Sequence, residues 1–85
     1  MVVLEIINRD LYRHRLDEDN RGRYFTVYLG HKQYCELISN VDYPKYINID
    51  HTGSELLFGK IFVILVNAEN YYHLTAGQNN IWNHL

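Results

Sequence analysis

The stretch Leu11–Gly30 has the sequence LYRHRLDEDNRGRYFTVYLG, in which two runs of alternating side chains flank a polar turn that ends in glycine. Aromatic and β-branched residues recur in these runs with a period of two, and that period is typical of strands. The sequence therefore predicts a β-hairpin with arms at Leu11–Leu16 and Arg23–Gly30, joined by the turn Asp17–Gly22.

The predicted hairpin displays guanidinium and phenol groups, which suit binding. Arg13 and Arg15 share one face of the first arm, because alternate residues of a strand point the same way. Tyr24 and Tyr28 face outward on the second arm if the apolar residues next to them point into the core. The candidate binding residues are Tyr12, Arg13, Arg15, Arg23, Tyr24 and Tyr28.

Three interpretations of this hairpin stay open at the level of sequence. Tyrosine and arginine are enriched at the energetic centres of protein interfaces, which favours a protein partner. Aromatic rings beside guanidinium groups also suit single-stranded RNA, whose bases stack on them. The third interpretation is an ordinary solvated hairpin with cross-strand side-chain pairs.

Five further segments alternate or are rich in β-branched residues and are predicted as strands. They are Val2–Asn8, Gln33–Ser39, Tyr46–Asp50, Lys60–Val66 and Tyr71–Ala76. With the hairpin they predict a mainly β fold, a small antiparallel meander or barrel of about six strands in a single domain spanning residues 1–85.

The connections complete this prediction. His51–Ser54 is expected to be a turn and Asn67–Asn70 a hairpin loop, and Pro44 marks a further turn or an edge. Gln78–Leu85 is predicted as a short C-terminal helix that packs back on the sheet. The alternative is an α+β fold in which residues 2–16 or 68–85 are helical.

The charge balance argues against a dedicated binder of duplex DNA. The net charge is −2, with six Lys and Arg against five Asp and Glu in residues 1–35, and two against five in residues 36–85. Proteins that grip duplex DNA usually carry a strongly basic surface, and mimics of DNA need dense carboxylates. This mild polarity meets neither requirement.

The sequence also predicts that the protein is not an enzyme and holds no cofactor and no metal. The five histidines do not fall in a metal-ligand spacing, and Thr52-Gly53-Ser54 lacks the lysine and the spacing of a phosphate loop. The acidic cluster Asp17–Asp19 lies in the predicted turn, where it shields arginines. No recognisable nucleophile motif is present.

A cytoplasmic location is expected. Cys35 is the only cysteine, so no internal disulfide forms, and we expect it to be buried in the strand Gln33–Ser39. No apolar run approaches the ~20 residues that cross a bilayer, so no membrane partner is expected. The N-terminus also lacks the positively charged start of a secretory signal.

The small size, the absence of enzymatic motifs and the Asn-, Ile- and Tyr-rich usage resemble the small early accessory proteins of T-even-like phages. Ala68 and Ala76 are the only alanines, which fits an AT-rich coding source. Many proteins of this group bind and inhibit host defence factors, and within it the chain is similar to an inhibitor of a toxin endoribonuclease. The resemblance is one of composition along the whole chain, so it carries over no functional residues.

The resulting expectation is a small binding protein that inhibits or occludes a macromolecular partner, a host protein such as a defence factor. One alternative is a single-stranded RNA-binding module that uses the same arginines and tyrosines. Another is a small-ligand sponge with a pocket at a subunit junction. A homodimer is a further option, since open sheet edges favour pairing between copies.

Overall fold

The computed structural model describes residues 2–16 and 24–77, which form three helices and one mixed sheet of five strands. In chain order the elements are α1 (Val3–Arg15), β1 (Phe25–Leu29), α2 (His31–Ser39), α3 (Tyr43–Tyr46), β2 (Ile47–Ile49), β3 (Glu55–Leu57), β4 (Ile61–Leu65) and β5 (Tyr72–Ala76). The fold is therefore α+β, as the alternative prediction had it, and the prediction of a β meander or barrel is wrong.

The first arm of the predicted hairpin is part of a helix. Val3, Leu4, Ile7 and Leu11 are buried in the core, and their spacing is that of one face of a helix. The β-branched residues at the start of α1 favoured a strand, but burial of this apolar stripe outweighs their propensity. The predicted strands at residues 2–8 and 11–16 are wrong for this reason. The predicted turn at 17–22 and the predicted C-terminal helix at 78–85 lie outside the described residues.

The segment predicted as the strand 33–39 is also helical. In α2 Leu37 is fully buried and Tyr34, one turn earlier, packs against the core. Cys35 lies on the other side of this helix and is exposed, so the expectation of a buried cysteine is wrong. Pro44 lies in the first turn of α3, where a missing backbone N–H is tolerated.

Strands β1, β2, β4 and β5 lie within segments that the sequence predicted as strands, whereas β3 was not predicted, and the pairing differs. The strand order is β2-β3-β4-β1-β5, with β1 parallel to β4 and antiparallel to β5. The expected hairpin between β4 and β5 is therefore wrong, because β1 lies between them. The turn at His51–Ser54 is confirmed, and it joins β2 and β3 with the Asp50 carboxylate accepting the backbone N–H groups of Thr52 and Ser54, each at 2.9 Å.

The core lies between α1, α2 and one face of the sheet. Phe25, Val27 and Leu29 of β1 are fully buried and contact the apolar face of α1 through the same cluster. Their alternation predicted that the tyrosines of β1 point the other way, and this is confirmed. The opposite side of the sheet, called the outer face below, carries Tyr24, Thr26, Tyr28, Phe62, Ile64 and His73.

The connection from β4 to β5 crosses the end of β1 at Gly30. The backbone N–H of Gly30 donates to the Tyr71 carbonyl at 2.8 Å, and those of His31 and Lys32 donate to Ala68 and Glu69 at 2.8 and 2.9 Å. The first N–H groups of α2 thereby find partners that their own helix does not supply. A Cβ on Gly30 would lie 2.6 Å from the Tyr71 nitrogen, so only glycine fits under this crossing.

We expect Gly30→Ala to lower the free energy of unfolding by about 2 kcal/mol, because the added carbon meets backbone that cannot move independently. Urea unfolding followed by circular dichroism measures the change. Lys32→Ala, at an exposed position two residues later, serves as the control and should stay within about 0.5 kcal/mol of the parent. Equal losses in the two variants would contradict the steric role of Gly30.

The N-terminus of α1 is capped by a side chain of α2. Val2 stands at the cap position and makes no side-chain cap, and the Val3 N–H instead donates to Glu36 Oε2 at 2.6 Å. The carboxylate also lies at the positive end of the helix dipole. One contact thus stabilises α1 and joins the two helices.

Glu36→Ala should therefore destabilise the protein by about 1 kcal/mol, as loss of a helix cap does. Glu36→Gln keeps an acceptor oxygen and should lose less. Thermal unfolding measures the loss of stability in both variants. Glu69→Ala, which removes an exposed carboxylate from a loop, is the control. An effect of Glu36→Ala no larger than that of Glu69→Ala would show that the cap contributes nothing.

Candidate functional site

The six predicted binding residues do not form one surface. Tyr12, Arg13 and Arg15 lie on α1, whereas Tyr24 and Tyr28 lie on the outer face of the sheet. Helix α1 packs against the opposite side of that sheet, so the two groups point away from each other. The prediction that these residues share one surface is wrong, because the first arm of the predicted hairpin is helical. Arg23 lies outside the described residues.

The first of these two surfaces is the outward side of α1. It consists of Arg9, Tyr12, Arg13, Arg15 and Leu16, and it is called the α1 surface below. Tyr12 and Leu16 are one turn apart and are 66% and 68% exposed. Together these two side chains form a small apolar patch that a partner could cover.

The charge of the α1 surface is positive. Arg9 Nε lies 3.3 Å from Asp10 Oδ1, and Arg13 Nη1 lies 3.9 Å from the same oxygen. The other oxygen of Asp10 accepts a hydrogen bond from the Tyr72 hydroxyl at 2.7 Å. One carboxylate is thus shared by two guanidinium groups and a phenol, and such exposed ion pairs contribute little to stability. The arginines remain available to a partner.

The second surface is the outer face of the sheet, which is aromatic and weakly charged. The ring of Tyr24 lies 5.6 Å from that of Phe62, and the ring of Tyr28 stacks on His73 at 6.2 Å. Tyr24 is 48% exposed. Between these pairs Thr26 is fully buried, and its hydroxyl donates to the Gly77 carbonyl at 2.9 Å. The helices that form the core lie on the other side of the sheet.

A cluster of phenols and one carboxylate joins α2 to β3. The Tyr34 hydroxyl lies 3.2 and 3.3 Å from the two oxygens of Glu55, and burial followed by the Glu55 charge raises the Tyr34 pKa. Burial and the same carboxylate raise the pKa of Tyr43 to about 12. Both phenols stay protonated at neutral pH, and the Tyr34 hydroxyl donates to Glu55 while Tyr43 packs against the core.

The structure also contains a groove that the sequence analysis missed. It has a volume of about 440 Å³ and lies between α1, the first turn of α2 and the start of β5. Its lining combines apolar and polar side chains: Val3, Ile6, Arg9, Gln33, Asn70, Tyr71 and Tyr72. Ile6 and Arg9 lie one helical turn apart. The sequence therefore indicates that they share a face only when residues 3–15 are assigned as a helix.

Within residues 2–16 and 24–77, no three His, Cys, Asp or Glu side chains lie close enough together to hold a metal ion. No helix in these two segments is long and apolar enough to cross a membrane. The α1 surface, the outer face and the groove are the candidate binding features.

No protein-family model, curated protein or solved structure matches this chain.

The raised pKa of Tyr43 predicts a loss of stability at alkaline pH. Its phenol ionises near pH 10.0 ordinarily and near pH 12 when folded. Between these values the unfolded chain releases a proton that the folded chain retains, so the free energy of unfolding falls, whereas below pH 10 the contribution is complete. Tyr43→Phe removes this proton, so unfolding free energies measured from neutral pH to about pH 11 should fall less steeply than those of the parent. Parallel pH curves would contradict the assignment.

Proposed function

We propose that this protein binds an acidic protein partner through the α1 surface and inhibits that partner by occlusion. The observation that carries the proposal is the exposure of Tyr12 and Leu16 between three arginines on one rigid helix. Their apolar area needs a partner to cover it, and the surrounding guanidinium groups select a partner that presents carboxylates.

The energetics of such a contact are favourable for a small surface. Burying one large apolar side chain contributes roughly 1.5–3 kcal/mol. Arginine pairs with carboxylates through two parallel hydrogen bonds, which adds both energy and orientation. Because the contacting residues are held on a helix whose other side is in the core, little order has to be gained on binding.

Occlusion requires no chemistry from the protein itself. The resemblance to small phage accessory proteins suggests that the partner is a host protein, a defence factor, which loses activity when its surface is covered. Among the described residues, β2 and β5 lie at the edges of the sheet, and edge strands of this kind can pair with a second copy. Self-association is therefore measured together with partner binding.

Single-stranded RNA is the second candidate partner, and the outer face is the observation that favours it. The rings of Tyr24, Tyr28, Phe62 and His73 lie on that face, and a base stacked on an aromatic ring gains roughly 1–3 kcal/mol. Phosphates, however, need cations nearby, and the arginines of α1 lie on the opposite side of the sheet. Because the aromatic rings and the arginines of α1 lie on opposite sides of the sheet, we rank a protein partner ahead of RNA.

A matched pair of tyrosine variants tests the proposal. The tagged protein captures its partner from a lysate of a bacterium that T-even-like phages infect, with and without ribonuclease, and the purified partner is then titrated by calorimetry. Tyr12→Ser should weaken binding about 30-fold, the effect of losing roughly 2 kcal/mol at an interface. Tyr24→Ser, a similarly exposed tyrosine on the outer face, should change the affinity less than twofold.

Other results would assign the function differently. A weaker interaction of Tyr24→Ser with unchanged binding of Tyr12→Ser would exclude the α1 surface. Loss of capture after ribonuclease treatment, with an affinity that falls steeply as salt rises, would move RNA binding to first place. Light scattering on the same samples measures the number of copies in the complex.

A further inference from the structure

The groove beside α1 combines apolar side chains with two amides, Gln33 and Asn70, whose orientation is set by hydrogen bonds. A chain of hydrogen bonds orients these amides. It begins at the backbone N–H of Tyr71, which donates to Gln33 Oε1 at 2.9 Å. Because the amide oxygen of Gln33 is used in this way, its NH₂ group faces Asn70, and Nε2 donates to Asn70 Oδ1 at 3.1 Å. The Asn70 amide is thereby oriented too, and its NH₂ group stays available as a donor.

Arg9 adds a positive charge to this set of donors. Its hydrogen bond to Asp10 is made by Nε, at 3.3 Å, and the side chain is 58% exposed. The terminal nitrogens make no hydrogen bond to another residue of the described segments, and guanidinium offers donors on both of them. The groove therefore presents donors from both of its walls, and an acceptor-rich, negatively charged group complements it.

The rest of the groove is apolar. Val3 and Ile6 of α1 line one side, and Tyr71 and Tyr72 line the other. The volume of about 440 Å³ lies within the range of roughly 300–1,000 Å³ that is usual for small-molecule sites. A ligand that fills this space must carry an apolar body as well as an anionic group.

We propose that this groove binds a small monocarboxylic acid with an apolar body, whose carboxylate is held by Arg9. Asp10 shares the guanidinium of Arg9 and lowers the positive charge at this end, which favours a single carboxylate over a multiply charged anion such as phosphate. The apolar body of the ligand contacts Ile6 on one side of the groove and Tyr71 and Tyr72 on the other. This site shares Arg9 with the α1 surface but contains neither Tyr12 nor Leu16, and it does not depend on the function proposed for that surface.

A pair of probes with the same apolar body, one with a carboxylate and one with a neutral hydroxyl group, tests this assignment. 4-Phenylbutyrate and its uncharged counterpart 4-phenylbutanol are titrated into the ¹⁵N-labelled protein, and amide shifts are followed by NMR. We expect both probes to shift the amides of Ile6, Asn70 and Tyr71, with the acid binding at least about tenfold more tightly because of its charge-assisted hydrogen bonds. Arg9→Gln should remove this preference and leave the affinity for the alcohol unchanged.

Lys45→Gln is the matched control for the loss of one positive charge. Lys45 lies on α3 and pairs with Asp42 at 3.3 Å, as Arg9 does with Asp10, but it does not line the groove. This variant should keep the preference for the acid. Equal affinity for acid and alcohol, equal loss in both variants, shifts located elsewhere, or no shift at millimolar probe would each overturn the proposal.

Discussion

The contact on which the rest of the structure depends is the close approach between Gly30 and the backbone of residues 68–71. The chain must pass from β4 to β5 over the end of β1, because β1 lies between these two strands. That passage is possible only where β1 ends in a residue without a side chain. The same backbone then provides carbonyls for the first N–H groups of α2, so one position determines the place of a strand and the start of a helix.

The groove also follows from this crossing. Asn70 and Tyr71 belong to the connection, and the Gln33 amide that orients Asn70 belongs to the first turn of α2. If the connection lay farther from Gly30, the Tyr71 N–H would not reach Gln33, and the sequence of oriented amides would be broken. The polarity of the groove is thus a consequence of backbone packing more than of the choice of lining residues.

Strands and helices differed in how well the sequence predicted them, and the reason is physical. The strands at residues 25–29, 47–49, 61–65 and 72–76 lie in segments whose alternation or continuous apolar run predicted a strand, and no competing helical stripe crosses them. In α1 two local patterns competed: the β-branched residues near Val3 and the alternation around Arg13 both favoured strands, while the stripe that includes Ile7 and Leu11 has helical spacing. The stripe is apparent only when both segments are considered together, and its burial decides the outcome.

The same ambiguity explains what the sequence could predict of the candidate site. Arginine and tyrosine were predicted to be exposed between residues 12 and 28, and the exposure of Tyr12 and Tyr24 agrees with this. Which of them share a surface depends on whether residues 11–16 form a strand or a helix, since a helix there carries the arginines to the other side of the sheet. Residue types alone do not indicate which side of the sheet each of these side chains occupies.

Arg9 connects the two sites proposed on this side of the molecule. It belongs to the α1 surface and also provides the charge of the groove. A guanidinium group that holds a carboxylate in the groove has fewer donors left for a carboxylate of a protein partner. If both sites are used, each ligand must therefore weaken the binding of the other by the same factor, because coupling between two binding equilibria is reciprocal. The degree of this coupling would measure how far Arg9 contributes to the partner contact.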